Sequence, residues 1–523
     1  AAGAKENNIY SNFTATGNYL SGQHAQFHRK NSKAADFLLA ALKESPENIG
    51  LISRTFLLLL TEGRFDEAIK FNKILEVKKS KTDLTNLLSL VNFLRNRNYK
   101  EARKKLSQFS EKSAFYVATP ILKAWILQGL NESEKAIGVL AKFEKKFPSN
   151  ILYSMHKGLI YSVSGQNHAA LKIFEKLLKR EDGSNFRLIQ LMGNIYEVVN
   201  ETDKARALYE RIFYETKNRN MLDDSVKRFK ENIKPKLLIA NATDGIAEGL
   251  FGIANSLSRQ EANEAAIILG QFALYLKPNY PIMQVLVGDL LESDNRLSDA
   301  NEIYTNVDRT SLFWRDIELR IASNYHYMGE TDNAIELLRG IAKKRPGDPK
   351  PLIKLGDYLR SKERFSEAIS YYDEAIQSIG KLGPDDWRLL YIRGIALERE
   401  GHWIRAEQDF LKALDFKPNQ PHLLNYLGYS YLDKSINLDI ALEMIRKAVK
   451  LRPKDGYIID SLGWGYYRIK KFDAAVLELE RAVLYRPEDP IINDHLGDAF
   501  WRVGRKNEAR FQWRRSLSLN PKE

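Results

Sequence analysis

Eight histidines are the side chains best placed to hold a metal, and only His24 and His28 fall at metal-binding spacing. At i, i+4 on a helix, two imidazoles share one face, as a zinc site needs, but no third ligand stands near them. There is no cysteine, which removes disulfides, thiolate metal sites and thiol nucleophiles together. The phosphate-cradling loop G-x4-G-K-[ST], the G-x-S-x-G elbow, H-E-x-x-H and G-x-G-x-x-G are all missing. Asp and Glu are plentiful, but scattered as charges on helix surfaces. The sequence therefore reads as a chain with no catalytic chemistry, no cofactor and no metal. Its sequons at Asn12, Asn131 and Asn241 read as chance matches.

A chain of 523 residues is too long for one ordinary core, and must either split into domains or grow as a repeat array. Hydrophobic content of 44% with 28% charged residues fits a folded chain, and no run is long and apolar enough to span a bilayer. The net charge of +13 is unevenly placed. Residues 1–240 hold 40 Lys and Arg against 25 Asp and Glu, whereas residues 241–523 hold 40 against 42. The basic half is read as a solvated surface, or as one steered toward an acidic partner or an anionic membrane face.

The elements that carry these residues repeat. The most legible copy, YIIDSLGWGYYRIKKFDAAVLELERAVLYRPED, has Leu462-Gly463, Tyr466, Ala475, Ala482 and Pro487. Small residues at Gly463 and Ala475 let two helices cross closely, and Pro487 cannot continue the second helix. The glycine position recurs at Gly22, Phe56, Leu90, Ala124, Gly158 and Gly193, then at Ala254, Gly288, Ala322, Gly356, Gly394, Gly428, Gly463 and Gly497. An alanine follows twelve residues later in thirteen of the fourteen, and Ala441 is displaced by one. This spacing resembles the tetratricopeptide pattern and implies an all-α superhelical solenoid of fourteen helical hairpins.

The predicted organisation is a leader over 1–14, hairpins one to six over 15–218, an irregular connector over 219–246, and hairpins seven to fourteen over 247–523. The start, Ala-Ala-Gly-Ala-Lys, suits either a processed mature chain or a trimmed one, and the stop at the last position of the final repeat suggests either trimming or a C-terminal cap supplied by another molecule.

The resemblance to tetratricopeptide repeats implies a groove lined by the first helix of each hairpin. With the glycine as position 8, side chains at positions 2, 5, 9, 12 and 13 face it. Hairpins two to five then present an apolar wall of Leu57, Leu60, Leu84, Leu87, Val91, Leu94, Ile121, Trp125, Leu152, Met155 and Leu159. Helices apolar on nearly every side are buried on two faces. Either a partner helix lies in that groove, or the chain's own leader or central segment fills it. Hairpins ten to fourteen present Tyr391, Arg399, Asn425, Tyr429, Asp433, Tyr457, Asp460, Trp464, Tyr467, Arg468, Asp494, Trp501 and Arg502. Aromatic and arginine side chains of this kind anchor protein interfaces, or else pack between neighbouring helices. The carboxylate clamp of chaperone-binding repeats is missing: Asn194 and Asn255 hold position 9, but position 5 is Gln190 and Phe251.

Two C-terminal stretches, LNYLGYSYLDKSINLDIALEMIRKAVKLRPKDGYIIDSLGWGYYR and PEDPIINDHLGDAFWRVGRKNEARFQW, resemble a group of proteobacterial envelope repeat proteins, as does the central ATDGIAEGLFGIANSL. That group is similar to a pseudomonad outer-membrane lipoprotein that recruits a carboxy-terminal processing protease and its cell-wall hydrolase substrates. The resemblance implies a periplasmic or envelope adaptor with protein partners and an association with the outer membrane. Ala1 departs from the lipid-bearing cysteine of such a lipoprotein. The alternative is a cytoplasmic scaffold that meets nucleic acid or another acidic partner through the basic half.

Overall fold

Several repeats open where a polar residue caps the first helix and close where proline stops the second. Asp348, Asp455 and Asp489 each accept hydrogen bonds from backbone N–H groups of the helix they start. Pro349 and Pro490 follow at the first helical position, where the missing N–H costs nothing. Between the two helices of a hairpin, one residue takes the left-handed conformation, as at Gly63, Asn131, Gly165, Asn200, Gly401 and Gly504. The computed structural model describes residues 14–78, 80, 82–109, 117–147, 151–180, 185–216, 220–233 and 235–519. Among them are 29 α-helices and no strand, in a tetratricopeptide-type stack. No helix there is long and apolar enough to cross a membrane.

The chain divides into two compact units, Ala1–Met328 and Gly329–Glu523. In the first, hairpins one to six are α1 (Ala15–Phe27) with α2 (Asn31–Glu44), α3 (Ile49–Thr61) with α4 (Phe65–Val77), α5 (Asp83–Arg95) with α6 (Tyr99–Leu106), α7 (Thr119–Gly129) with α8 (Ser133–Lys146), α9 (Ile151–Val163) with α10 (Asn167–Arg180), and α11 (Phe186–Val198) with α12 (Thr202–Thr216). A single helix, α13 (Asn220–Lys230), precedes hairpins α14 (Ala242–Ser258) with α15 (Asn263–Leu276) and α16 (Pro281–Ser293) with α17 (Leu297–Thr305). The unit ends with α18 (Trp314–Tyr327).

The second unit begins with α19 (Thr331–Lys344), so the ninth predicted hairpin contributes one helix to each unit. Then come α20 (Pro349–Ser361) with α21 (Phe365–Ile379), α22 (Trp387–Arg399) with α23 (Trp403–Phe416), α24 (Pro421–Asp433) with α25 (Leu438–Leu451), α26 (Gly456–Arg468) with α27 (Phe472–Tyr485), and α28 (Pro490–Arg502) with α29 (Lys506–Ser518).

The repeat anchors explain the core. Gly356 on α20 has no room for a side chain, because the Tyr372 ring of α21 lies against it. The alanines Ala34, Ala68, Ala102, Ala136 and Ala170 are fully buried where the paired helices cross. The connector differs from the expected irregular segment. It contains α13, which buries Met221 and Ser225 and turns Arg228 onto Glu197 of α11, with two contacts of 2.8 Å. Alternating apolar and charged residues in NMLDDSVKRFK carry that helix without a repeat signature. The predicted leader lies almost wholly outside the described residues, as do Asn12, Pro148 and Pro521.

Candidate functional site

The apolar wall of the first unit is already occupied. Hairpin α14–α15 lies against it, with α14 on α7 and α9 and with α15 on α3 and α5. Close approach is possible because α14 carries glycines on the contact face. Gly245 sits against the Trp125 indole, Gly249 against Ile121, and Gly252 against Leu152. On α15, Tyr275 stacks on Phe65 with ring centroids 4.3 Å apart, and Arg95 lies over the other part of the system, 4.0 Å from the Tyr275 centroid. Leu60, Leu87, Val91, Leu94, Ile121, Trp125, Met155 and Leu159 are buried, and Leu57 is half-buried. The expectation that these residues bind a partner is corrected: eight of the nine are core, and the chain's own seventh hairpin covers the wall they form. Hydrophobic burial drives this, since so long an apolar wall does not stay in water.

Polar groups fix the inserted hairpin in register. Glu248 of α14 is fully buried and accepts from Arg187 of α11 through two parallel hydrogen bonds, Nε to Oε1 at 2.9 Å and Nη2 to Oε2. The Tyr280 hydroxyl donates to the same carboxylate. Burial pushes the Glu248 carboxyl up, but the Arg187 charge and these hydrogen bonds outweigh it and hold the pKa below the usual carboxylate value. Further along, the Asn194 amide donates to the Lys236 carbonyl at 3.0 Å and accepts from the Leu238 N–H at 2.8 Å. It pairs with the extended connector as a neighbouring strand would. The central segment thus lies on α11, and the seventh hairpin covers the wall formed by α3, α5, α7 and α9.

His156 lies beneath α14. The Trp125 indole N–H donates to its Nδ1 at 3.0 Å, and its Nε2 is buried with no hydrogen-bond partner. Burial pushes its pKa down to about 4, against the weaker pull of the Glu248 charge. The unfolded chain takes up a proton near pH 6.5 that the folded chain refuses until about pH 4. Stability of the first unit is therefore expected to fall as pH drops through that window. In His156→Asn, which keeps an acceptor for Trp125, thermal unfolding should lose this dependence; an unchanged pH profile would refute the assignment.

In the second unit the first helices line one face, where α24 touches α26 and α26 touches α28. There the rings of His495, Trp464 and Tyr467 form a parallel stack, with centroids 4.1 Å and 4.7 Å from the central indole. Asp460 holds His495 Nδ1 at 2.9 Å. Burial opposes the proton on His495, but the bond to Asp460 and the charges of Asp460, Asp494 and Asp498 prevail and raise its pKa. Arg468, at the end of α26, reaches back to the end of α24 and donates to Ser435 Oγ at 2.8 Å. Burial and the nearby Asp460 and Asp433 charges raise the pKa of Tyr429.

The remaining predicted residues make other contacts, and Arg502 borders the cluster through Phe472, whose ring lies 5.5 Å from that of Tyr467. Tyr391 packs between Trp387, Phe410 and Tyr426, and Arg399 lies over Phe365. Tyr457 is exposed beneath Arg486, Arg502 covers Phe472, and Trp501 leans on Trp513 with 40% of its surface exposed. His24 and His28 touch ring to ring, and among the described residues no group of three His, Asp or Glu is placed to hold a metal.

A tetratricopeptide repeat model matches residues 319–381, 353–421 and 461–521. Residues 319–421 and 461–521 carry tetratricopeptide repeats. A TPR repeat-containing protein of Pseudomonas aeruginosa is 32% identical over 188 residues, covering 35% of this chain and 30% of its own length. An anaphase-promoting complex subunit of Saccharomyces cerevisiae is 24% identical over 206 residues, covering 38% and 24%. The chain thus spans less than a third of the length of these curated relatives. Among solved structures, MamA from Desulfovibrio magneticus aligns at 23% identity and a TM-score of 0.30, over 33% of this chain and 94% of its own. The Cut9–Hcn1 hetero-tetramer aligns at 15% identity and a TM-score of 0.39, over 85% and 94%.

Within the repeat frame, two residues of the ring cluster escaped sequence reasoning. Asp498 follows Gly497 directly, so the same count places it at position 9 of the last tetratricopeptide repeat. His495 sits at position 6, outside the counted groove positions, and only its stacking on Trp464 reveals it.

Proposed function

We propose that this chain is a non-enzymatic scaffold of the bacterial envelope that holds protein partners on the α24–α26–α28 face of its second unit. The observation that carries this reading is the contrast between the two walls. The first unit's apolar wall is filled from within, whereas Trp464, Tyr467, Arg468, Asp494 and Trp501 stay partly or fully exposed on described surface. Aromatic and arginine side chains on a rigid wall are the groups that carry binding energy. The stack is preorganised, so a partner does not have to freeze those rings. The resemblance of the C-terminal repeats to envelope adaptors supports the finer reading, in which the partners are a carboxy-terminal processing protease and its cell-wall hydrolase substrates.

Affinity capture from the native envelope fraction tests both levels. Trp464→Ala and Trp501→Ala are each expected to weaken a partner bound here at least about tenfold. A partner list and affinities equal to wild type would rule out this face. Recovery of partners that never include such a protease would leave the scaffold and reject the finer reading.

A further inference from the structure

The second helices of hairpins three to five carry an unusual load at their C-terminal ends. The last turns of α6, α8 and α10 hold Lys104, Lys145, Lys146, Lys179 and Arg180, all exposed. Helices alternate in direction through this stack, each packing on the next from α4 to α10, so α4, α6, α8 and α10 run parallel. Their C-terminal ends therefore fall on one edge of the first unit. Val77 ends α4 and is 80% exposed, and Val117, just ahead of α7, is 44% exposed at the same edge. The opposite ends of these helices are acidic, with Asp66 and Glu67 on α4, Glu101 on α6 and Glu134 on α8.

A helix dipole favours cations at the C-terminus, and on its own would explain such residues. It acts equally on the other second helices, of which α4, α21, α23 and α27 end with no basic residue, α2, α25 and α29 end with one, and α19 ends with two. Only α6, α8 and α10 are three successive second helices that all end in exposed basic residues, and that unbroken run needs another cause. We propose that this edge rests on the anionic surface of a lipid bilayer. Lysines dominate it, and as flexible point charges they suit a diffuse anionic surface rather than the fixed geometry of base recognition. The exposed valines add the apolar contact that a headgroup boundary accepts. Nucleic-acid binding would be marked by stacking rings, and no exposed aromatic side chain is present among the described residues of this edge.

The test is co-sedimentation of the full chain with phosphatidylcholine vesicles, with and without phosphatidylglycerol. Binding is expected only to the anionic vesicles and should weaken with salt. Lys104→Glu, Lys145→Glu and Lys146→Glu together should lower the partition coefficient about 100-fold. The milder pair Lys145→Gln and Lys146→Gln should lower it about tenfold, and serves if the triple variant misfolds. Lys350→Glu, Lys362→Glu and Lys412→Glu in the second unit should leave it unchanged. The proposal is overturned by equal binding to both vesicle types, by edge variants that sediment like wild type, or by tighter binding to random duplex DNA than to the vesicles. None of these outcomes bears on the partner face of the second unit.

Discussion

Glu248→Ala is expected to destabilise the first unit by about 3–5 kcal/mol, because it leaves the Arg187 guanidinium buried without its counter-charge. Hydrogen exchange followed by mass spectrometry is the suitable probe, since a chain of two units need not unfold in one step. Amides of α14 and α15 should lose protection while those of α24 to α29 keep theirs. The double change Glu248→Leu with Arg187→Met should recover most of the loss, as apolar replacements of buried ion pairs often do. Equal protection in Glu248→Ala and wild type would show that the pair does not hold the inserted hairpin. The carboxylate also adds an acid limit. Its folded pKa lies below the unfolded value, so its contribution is present above about pH 4.5 and is lost as pH falls through the lower, folded value.

Gly245→Leu should act at the same interface by crowding. The Trp125 ring leaves no space even for a Cβ, so the side chain must push α14 out or distort α7, at a cost of about 2–3 kcal/mol. The control is Gly138→Ala on α8, where nothing lies near the new methyl group. There the better helix propensity should raise stability by about 0.5–1 kcal/mol. If both substitutions change the unfolding midpoint in the same direction, the close-packing account of Gly245 fails.

The repeat frame was legible because each anchor reports a local crossing between two helices adjacent in sequence. Gly22 to Gly497 therefore mark the first helix of all fourteen hairpins. What the frame does not report is how the stack curves. That depends on small differences summed over many interfaces, so the seventh hairpin's place inside the first six was not readable from spacing. A signal was present nonetheless. Helix α15, NEAAIILGQFALYL, carries a single charged residue and is apolar all round, which marks enclosure on every side. The glycines of α14 marked close approach in the same way. In the second unit, three of the counted groove positions, Asp460, Trp464 and Tyr467, lie together around His495. Tyr391 was assigned to the groove by the same count, yet its ring is spent on packing against Trp387, Phe410 and Tyr426.

An open repeat array can fold as it is synthesised, each new hairpin completing the one before. The internal hairpin denies the first unit that route. Until the chain has been made through Leu276, the wall formed by α3, α5, α7 and α9 has no cover, and a nascent chain ending near residue 240 exposes it in full. The order of synthesis thus creates an interval in which this apolar wall faces solvent, and in which a holding chaperone would have it to bind.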